Sequence, residues 1–390
     1  MKKTIRKAVI LIAVLCILCL SGCGRAERYA QAVSALEAGS YAAAAESFEA
    51  LGDYKDSAAR SESARQLAAK QSDYEKALAL AEDGEYDEAA RLFEALSDYE
   101  NSAELSLDCR YKAAEALAEA GQWSLAAESF EALADYADSA ERAEVCRAEA
   151  VKAAYENAVA LFEAGEYEQA ETLFASVPDY GEAELYLKAV GLALCEVGDT
   201  VSFGSYIQEG DAPSPIVWQV LAAEEGRFLL LSRDGLECMR FHKALYPFWA
   251  NSEMRRWLDD SFLPAAFTED EQRLIELSAN STPGYFSNLG LYMGGPDTED
   301  RVFLLSKEEL AQYLPEEGDR LCKPTAFALA AGAQTDDEGN CPWWTRSPGD
   351  HHGQICVVQA DGGQNAYYSV GWDNICIRPA VWVNIHVQQE

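Results

Sequence analysis

The feature that most constrains the fold is a motif that recurs four times between residues 29 and 195. Each copy has a glycine, a phenylalanine nine residues later and an Asp-Tyr pair that starts fourteen residues after the glycine. The glycines lie at spacings of 45, 37 and 44 residues, and the other two markers keep the same spacings. They are Gly39, Gly84, Gly121 and Gly165. Because three markers stay in step, the segment is interpreted as an internal repeat.

Each repeat has the composition and spacing of a helical hairpin. Ala, Leu, Glu and Lys dominate, and these residues favour helices. Residues 74–81 place apolar side chains at the i, i+3, i+4 and i+7 positions, and Gly84 follows where a helix would end. A further helix is expected after each hairpin and is predicted to continue into the next repeat. Its predicted N-caps are Asp56, Asn101 and Asp138.

The pattern A-x-x-G-x-Y-x-x-A-x-x-x-F-x-A resembles that of tetratricopeptide repeats. The resemblance implies an all-α solenoid over residues 29–195, with a concave face suited to peptides or proteins. Two roles stay open at this point. The repeats either dock a protein partner or act as a spacer between a membrane and the rest of the chain.

The first 23 residues have the layout of an export signal. Four basic residues precede the apolar run Ala8–Leu20, whose 13 residues are too few to span a bilayer. The run ends in Leu20-Ser21-Gly22-Cys23, which resembles the lipobox of bacterial lipoproteins. The resemblance implies a signal peptide over residues 1–22, a linker over 23–28 lipidated at Cys23, and an extracytoplasmic, membrane-anchored chain. An ordinary signal peptide with a chance cysteine is the alternative.

The charge of the chain narrows the choice of partners. Its 390 residues carry 31 Lys and Arg against 66 Asp and Glu, for a formal charge of −35. Such a polyanion repels nucleic acid, so a nucleic-acid partner is not expected. Neither a phosphate loop nor a dinucleotide fingerprint occurs, and no cofactor is expected.

The cysteines give no sign of a metal site. Cys16 and Cys19 lie in the signal segment and Cys23 is the predicted lipidation site. Among the eight cysteines that follow, none forms a C-x-x-C pair and no Cys/His spacing is typical of zinc, so no metal is predicted. Cys109 and Cys146 occupy equivalent positions in two repeats, where small buried residues are expected. Disulfides are permitted outside the cytoplasm. Pairing among four cysteines is left open, and these are Cys322, Cys341, Cys356 and Cys376.

The composition changes near Glu196, which predicts a separate α+β domain over residues 196–390. Its predicted strands are 200–206, 216–222, 227–232, 301–305, 355–359, 365–370 and 376–385, with a hairpin across 360–364. Its predicted helices are 251–260, 268–277 with a Thr268/Glu271 capping box, 306–313, and a short one opened by 323–325. The fold class is therefore multidomain, a helical solenoid followed by an α+β domain.

Several motifs of this domain are recognisable in combination. They are I-V-W-Q-V-L at 216–221, W-x-x-S-x-x-R-x-W-L at 249–258, V-F-L-L-S at 302–306, W-W-T-R-S-P-G at 343–349 and R-P-A-V-W at 378–382. Together they resemble an uncharacterised domain family of surface proteins in gut Firmicutes, over residues 197–385. The W-x-R-S hairpin and the last strand also resemble, more distantly, the C-type-lectin-like fold with its formylglycine-generating branch. The branch's catalytic cysteine pair and the lectin calcium motifs have no counterpart, so no catalytic residue is predicted.

The candidate ligand site combines aromatic side chains with arginines, a set that suits sugar rings, carboxylates or peptide termini. These side chains would line one shallow pocket, because the hairpin and the last strand are expected to adjoin. The alternative is that the tryptophans form the core and each arginine holds a loop through backbone carbonyls. The residues are Trp343, Trp344, Arg346, Trp372 and Arg378.

Three other sequence features are not predicted to be metal or catalytic sites. Asp350-His351-His352 lacks a third ligand, so an exposed loop is expected rather than a metal site. Asp361-Gly362-Gly363 is expected to form a hairpin turn rather than a calcium loop. Ser347 lacks the surroundings of a hydrolase nucleophile.

Three functions remain as hypotheses. The first is a non-enzymatic binding or adhesion module for glycan, cell-wall or protein ligands. The second is an envelope enzyme related to the formylglycine-generating branch. The third is an assembly scaffold that works through the repeats.

Overall fold

The computed structural model describes residues 24–243, 248–282, 285, 286, 290 and 292–386. Cys23 and the signal segment lie outside the described residues. The chain divides into two compact units, the first ending at Ala150 and the second beginning at Val151. An all-helical region over residues 24–193 precedes a sheet-rich domain, so the predicted fold class is confirmed. The compact units do not divide at the predicted boundary of 195 and 196, because the fourth repeat shares a hydrophobic core with the sheets.

The repeats are built from nine helices in the part of the chain described. They are α1 (residues 24–37), α2 (Tyr41–Leu51), α3 (Ser57–Glu82), α4 (Tyr86–Leu96), α5 (Ser102–Glu119), α6 (Trp123–Glu131), α7 (Ser139–Glu163), α8 (Tyr167–Ser176) and α9 (Ala183–Ala193). The motif glycines have φ between +73° and +84°, a left-handed conformation that glycine adopts without strain. After Gly84 the amide of Glu85 bonds back to the Leu80 carbonyl, which closes the first helix of that hairpin as predicted.

A cluster of aromatic rings fixes the geometry of each repeat. In the second repeat, Tyr74 packs edge-on against Phe93 and Tyr99, with ring centroids 5.6 and 5.8 Å apart. The Tyr74 hydroxyl donates to the Asn101 side chain, 27 residues further on. Equivalent hydroxyl bonds join Tyr29 to Asp56 and Tyr111 to Asp138.

Two of the predicted N-cap residues do not cap their helices through their side chains. Asp56 and Asn101 precede helices as N-caps, but neither side chain bonds to the amides of its own helix. Each accepts a hydrogen bond from a tyrosine two helices earlier instead, Tyr29 on α1 for Asp56 and Tyr74 on α3 for Asn101. The cap positions thus tie the two ends of a repeat together.

The variable repeat length arises in the connecting helices. α3 and α7 have 26 and 25 residues, whereas α5 has 18. A difference of seven or eight residues is close to two helical turns, which keeps the same helix face in phase. The buried side chains of Cys109 and Cys146 lie on these helices, as predicted for small core residues.

The C-terminal domain contains two five-stranded sheets. The first, in the order β1-β2-β3-β14-β9, is antiparallel and comprises β1 (Thr200–Glu209), β2 (Ala212–Glu224), β3 (Arg227–Ser232), β14 (Ala380–Asn384) and β9 (Val302–Phe303). The second, in the order β12-β11-β10-β13-β4, comprises β12 (Gln364–Ser369), β11 (Gln354–Val358), β10 (Trp343–Pro348), β13 (Cys376–Ile377) and β4 (Glu237–Cys238). Two smaller pairs are β5 (Ser278–Asn280) with β8 (Thr298–Asp300), and β6 (Tyr285–Phe286) with β7 (Tyr292–Met293).

Short helices connect the strands. They are α10 (Glu253–Trp257), α11 (Leu263–Ala266), α12 (Glu269–Leu274), α13 (Lys307–Tyr313) and α14 (Ala326–Ala330). A π-helical turn, Leu258–Phe262, joins α10 to α11, and 3-10 turns cover Trp249–Asn251 and Glu317–Arg320. Thr268 and Glu271 form the predicted capping box on α12, and Ser306 and Glu309 form another on α13.

The predicted final strand, 376–385, is two strands in different sheets. β13 pairs in parallel with β10, and after Arg378-Pro379 the chain continues as β14 beside β3. Proline has no N–H to donate to a ladder, so the break falls where the strand leaves one sheet for the other.

Candidate functional site

The structure buries four of the five predicted site residues. Trp343 and Trp344 are 0% exposed on β10, a strand whose six residues are all buried. The Trp343 indole donates to the Arg320 carbonyl at 3.0 Å, and the Trp344 indole donates to the Met239 carbonyl at 2.9 Å. Both rings are core residues, and their polar atoms are already paired inside the domain.

Arg346 fastens β10 to α13. Its guanidinium donates to the Leu304 carbonyl at 2.7 Å and forms a two-pronged pair with Glu309, in which Nη2 lies 2.8 Å from Oε1. The Glu309 carboxylate also accepts the Ser306 amide, so one side chain caps the helix and holds the arginine.

Arg378 lies behind the tryptophans. Its Nε donates to the Ser232 carbonyl at 2.7 Å, and its guanidinium stacks 5.1 Å from the centre of the Trp343 ring. The prediction that all five side chains line one shallow pocket is therefore wrong. The alternative describes these four residues, because β10 is covered on both faces and the arginines bond to backbone carbonyls.

Trp372 is the one member of the set that reaches the surface, with 47% of its side chain exposed. It packs edge-on against Tyr368, with ring centroids 4.9 Å apart. Tyr368 in turn lines a cleft of about 290 Å³. We call this cleft the hairpin cleft. It is lined by Gln334, Thr335, Asp336, Pro342, Gln359, Ala360, Asp361 and Tyr368.

One wall of the hairpin cleft is the loop that follows α14. The Gln334 amide donates to the Asn374 carbonyl at 3.1 Å, which ties the loop to the segment after Trp372. The Asp336 carboxylate accepts the amides of Asn340 and Glu338 at 2.8 and 2.9 Å. The bond from the Asn340 amide, followed by that from Glu338, lowers the pKa of Asp336. Its carboxylate is therefore ionised and fixed in place.

The opposite wall is the turn between β11 and β12. The Gln359 amide donates to the Gly363 carbonyl at 2.7 Å, and the Gly363 amide donates to the Asp361 side chain at 3.0 Å. Gly362 has φ +86°, and a Cβ there would lie 2.0 Å from the Glu317 carbonyl oxygen. The Asp361-Gly362-Gly363 segment is thus a hairpin turn, as predicted, and glycine is required at its centre.

The hairpin cleft offers amide, hydroxyl and carboxylate groups together with one aromatic ring. The amides both donate and accept, whereas the two carboxylates accept hydrogen bonds. A concave site with a few polar groups and an aromatic wall can orient a ligand rich in hydroxyl groups. Two acidic side chains in the wall disfavour an anionic ligand.

The other sequence candidates have structural roles. The buried Ser347 hydroxyl accepts the Lys307 amide at 2.9 Å, at the start of α13. Asp350 bonds to the Tyr367 hydroxyl and raises the pKa of that tyrosine, and His351 lies 6.2 Å from the same ring. Within the described part of the chain, His, Cys, Asp and Glu side chains form no group of three arranged to hold a metal ion.

The W-x-x-S-x-x-R motif builds a buried polar network. Ser252 caps the helix that carries Arg255, whose Nε donates to Asp300. The same carboxylate accepts the Trp249 indole at 2.8 Å. It also accepts the Thr298 hydroxyl at 2.6 Å and the Asn280 amide at 3.1 Å. The motif therefore anchors β8 to α10.

The residues of the hairpin cleft were not predicted as a site. Most of them come from two loops about 25 residues apart, and neither loop has a periodic pattern. The one sequence signal is the Asp361-Gly362-Gly363 segment. It predicts a backbone turn, but not that this turn forms a wall of the hairpin cleft.

The fold defines a protein whose C-terminal part is an α+β domain with two five-stranded sheets. Within it, residues 225–385 match the family model described as Domain of unknown function (DUF6273). This match supports the predicted resemblance to an uncharacterised domain family, and it includes both walls of the hairpin cleft and the Asp300 network. The chain matches no curated protein. None of the helices in the described residues is long and apolar enough to cross a membrane.

Proposed function

We propose that this chain is a bacterial envelope lipoprotein whose C-terminal domain binds a glycan in the hairpin cleft without chemical turnover. The observation that carries the proposal is the lining of the cleft, in which Tyr368 lies beside the amides and carboxylates of two fixed loops. Trp372 packs against Tyr368 and extends the aromatic surface next to the cleft. Aromatic rings pack on sugar faces, while amides and carboxylates satisfy hydroxyl groups. The charge of the walls favours neutral or cationic sugars of the cell wall or cell surface.

Asp336 supports binding rather than acid–base chemistry. Its carboxylate is occupied by backbone amides that lower its pKa, whereas a general acid needs a raised one. In this proposal the repeats hold the domain away from the membrane, and the lipid on Cys23 anchors the chain.

The test of binding is a pull-down of the full chain, in detergent, on isolated cell walls and a glycan panel. Tyr368→Ala is expected to weaken saturable binding by about tenfold or more, as removal of a central aromatic contact does. Tyr367→Ala is the matched control, because adjacent residues of β12 face opposite sides of the sheet. Equal binding by the two variants contradicts the proposed site. Arg346 and Trp344 are unsuitable for this test since both are core residues.

The anchor is tested separately in cells grown with a labelled fatty acid. The wild-type chain is expected to take up the label and to fractionate with membranes, whereas Cys23→Ser loses the label. Cys19→Ser keeps it, because that cysteine lies in the segment removed with the signal. Label retained by Cys23→Ser refutes lipidation at this position.

A further inference from the structure

Three cysteines of the C-terminal domain form a single buried cluster. Cys322, Cys341 and Cys376 are 3%, 0% and 0% exposed. They come from three separate segments, one before α14, one before β10 and one at the start of β13. The architecture therefore brings together three thiols that are far apart in sequence.

Cys341 lies between the other two. Its amide donates to the Cys322 carbonyl at 2.8 Å, and the Cys376 amide donates to the carbonyl of Pro342, the residue after Cys341, at 2.9 Å. Gly235 leaves room beside the cluster. A Cβ at that glycine would lie 3.1 Å from the Cys376 sulfur and 3.4 Å from the Cys341 sulfur.

A buried arginine without a carboxylate partner faces this cluster. Arg378 is 2% exposed, and its Nη1 has no hydrogen-bond partner. Its positive charge acts on the Cys322 and Cys341 thiols and opposes the rise in their pKa. The net pKa of both thiols stays raised, and the Arg378 charge reduces the cost of forming a thiolate beside it. The thiolate is the form that reacts with disulfides.

We propose that Cys322 and Cys341 form a disulfide while the domain folds, and that Cys376 remains as the adjacent free thiol. The pair loses two protons and two electrons as the S–S bond forms. A disulfide of a thiol oxidoreductase, or of glutathione, accepts them and becomes two thiols. Arg378 acts on both members of this pair, and the backbone bond already aligns them.

The disulfide would stabilise the hairpin cleft. It closes the segment from Cys322 to Cys341, which contains α14 and the wall residues Gln334, Thr335 and Asp336. This consequence rests on the proposed function and on an extracytoplasmic location, where oxidants of this class operate. The test below depends on neither, because its redox buffer supplies the oxidant.

The test refolds the reduced full chain in a glutathione redox buffer, alkylates free thiols and maps the peptides without reduction. Cleavage after Glu338 separates Cys341 from Cys322, and cleavage after Arg346 separates it from Cys356 and Cys376. The expected map joins these two cysteines and shows alkylated Cys376 and Cys356. A native fold with all these thiols alkylated overturns the proposal, as does a bond to Cys356.

Cysteine variants test which two residues form the disulfide without relying on the peptide map of the wild-type protein. Cys341→Ala is expected to lack a disulfide in the domain, Cys376→Ala to keep the original bond, and Cys322→Ala to transfer it to Cys376. Cys356→Ala is the control, since that buried thiol lies on β11 outside the cluster. A disulfide that persists in Cys341→Ala contradicts the proposal. The map is read without any glycan, so its failure is distinct from a failure of cleft binding.

Discussion

A fragment of residues 196–390 is expected to be largely unfolded in buffer, whereas a fragment of residues 151–390 folds cooperatively. The core of the C-terminal unit includes the fourth repeat, in which α9 buries Leu185, Tyr186 and Val190 among other side chains. Each large apolar side chain returned to water costs about 1.5–3 kcal/mol. Summed over α9 and its neighbours, this cost is comparable with the whole free energy of unfolding of an average domain, about 5–15 kcal/mol.

Two ion pairs reinforce this expectation. Lys188 on α9 lies 3.0 Å from the buried carboxylate of Glu271, and Arg273 pairs with Glu182. In the intact chain Glu271 is 5% exposed, and removing the repeat takes away both its cation and the helix that carries that cation.

The measurement is guanidinium unfolding followed by circular dichroism. The full chain serves as the control, and its sheet-domain transition is expected to coincide with that of the 151–390 fragment. A 196–390 fragment with the same midpoint as the longer fragment shows that the fourth repeat is not part of this core.

Asp300→Ala is expected to destabilise the C-terminal domain by about 3–5 kcal/mol, the cost of breaking a buried charged pair. The aspartate accepts hydrogen bonds from Trp249, Arg255, Asn280 and Thr298. Its loss leaves three of these donors buried with an acceptor missing and the Arg255 charge unpaired.

Thermal and denaturant unfolding of the full chain measure this effect. Glu299→Ala is the matched control, because Glu299 is the adjacent acidic residue on β8 and its side chain is exposed. We expect that control to stay within about 0.5 kcal/mol of the wild type. Similar losses in both variants contradict the structural role given to the W-x-x-S-x-x-R motif.

The sequence predicted the repeats well because their markers are local. Gly84 and Phe93 lie nine residues apart on one hairpin, so the spacing reports the packing directly. The bond from Tyr74 to Asn101 spans 27 residues and has no local signal. The sequence therefore predicts Asn101 as an N-cap, but its side chain does not bond to the amides of α5.

The site was harder to predict because side-chain direction depends on tertiary packing. In β10 all six residues are buried, so alternation along the strand does not show which aromatic residues reach the surface. Trp344 and Trp372 are both predicted pocket residues, but Trp344 lies in the core, whereas Trp372 is exposed. The hairpin cleft forms where the loop after α14 meets the β11–β12 turn, which no local pattern records.

The measurement that tests the central claim most directly is hydrogen exchange of the full chain with and without soluble cell-wall glycan fragments. Binding in the hairpin cleft predicts slower amide exchange at residues 334–336 and 359–361, and unchanged exchange in α2 to α6. Protection confined to the repeats, with the cleft loops unchanged, contradicts the account and places recognition in the helical region.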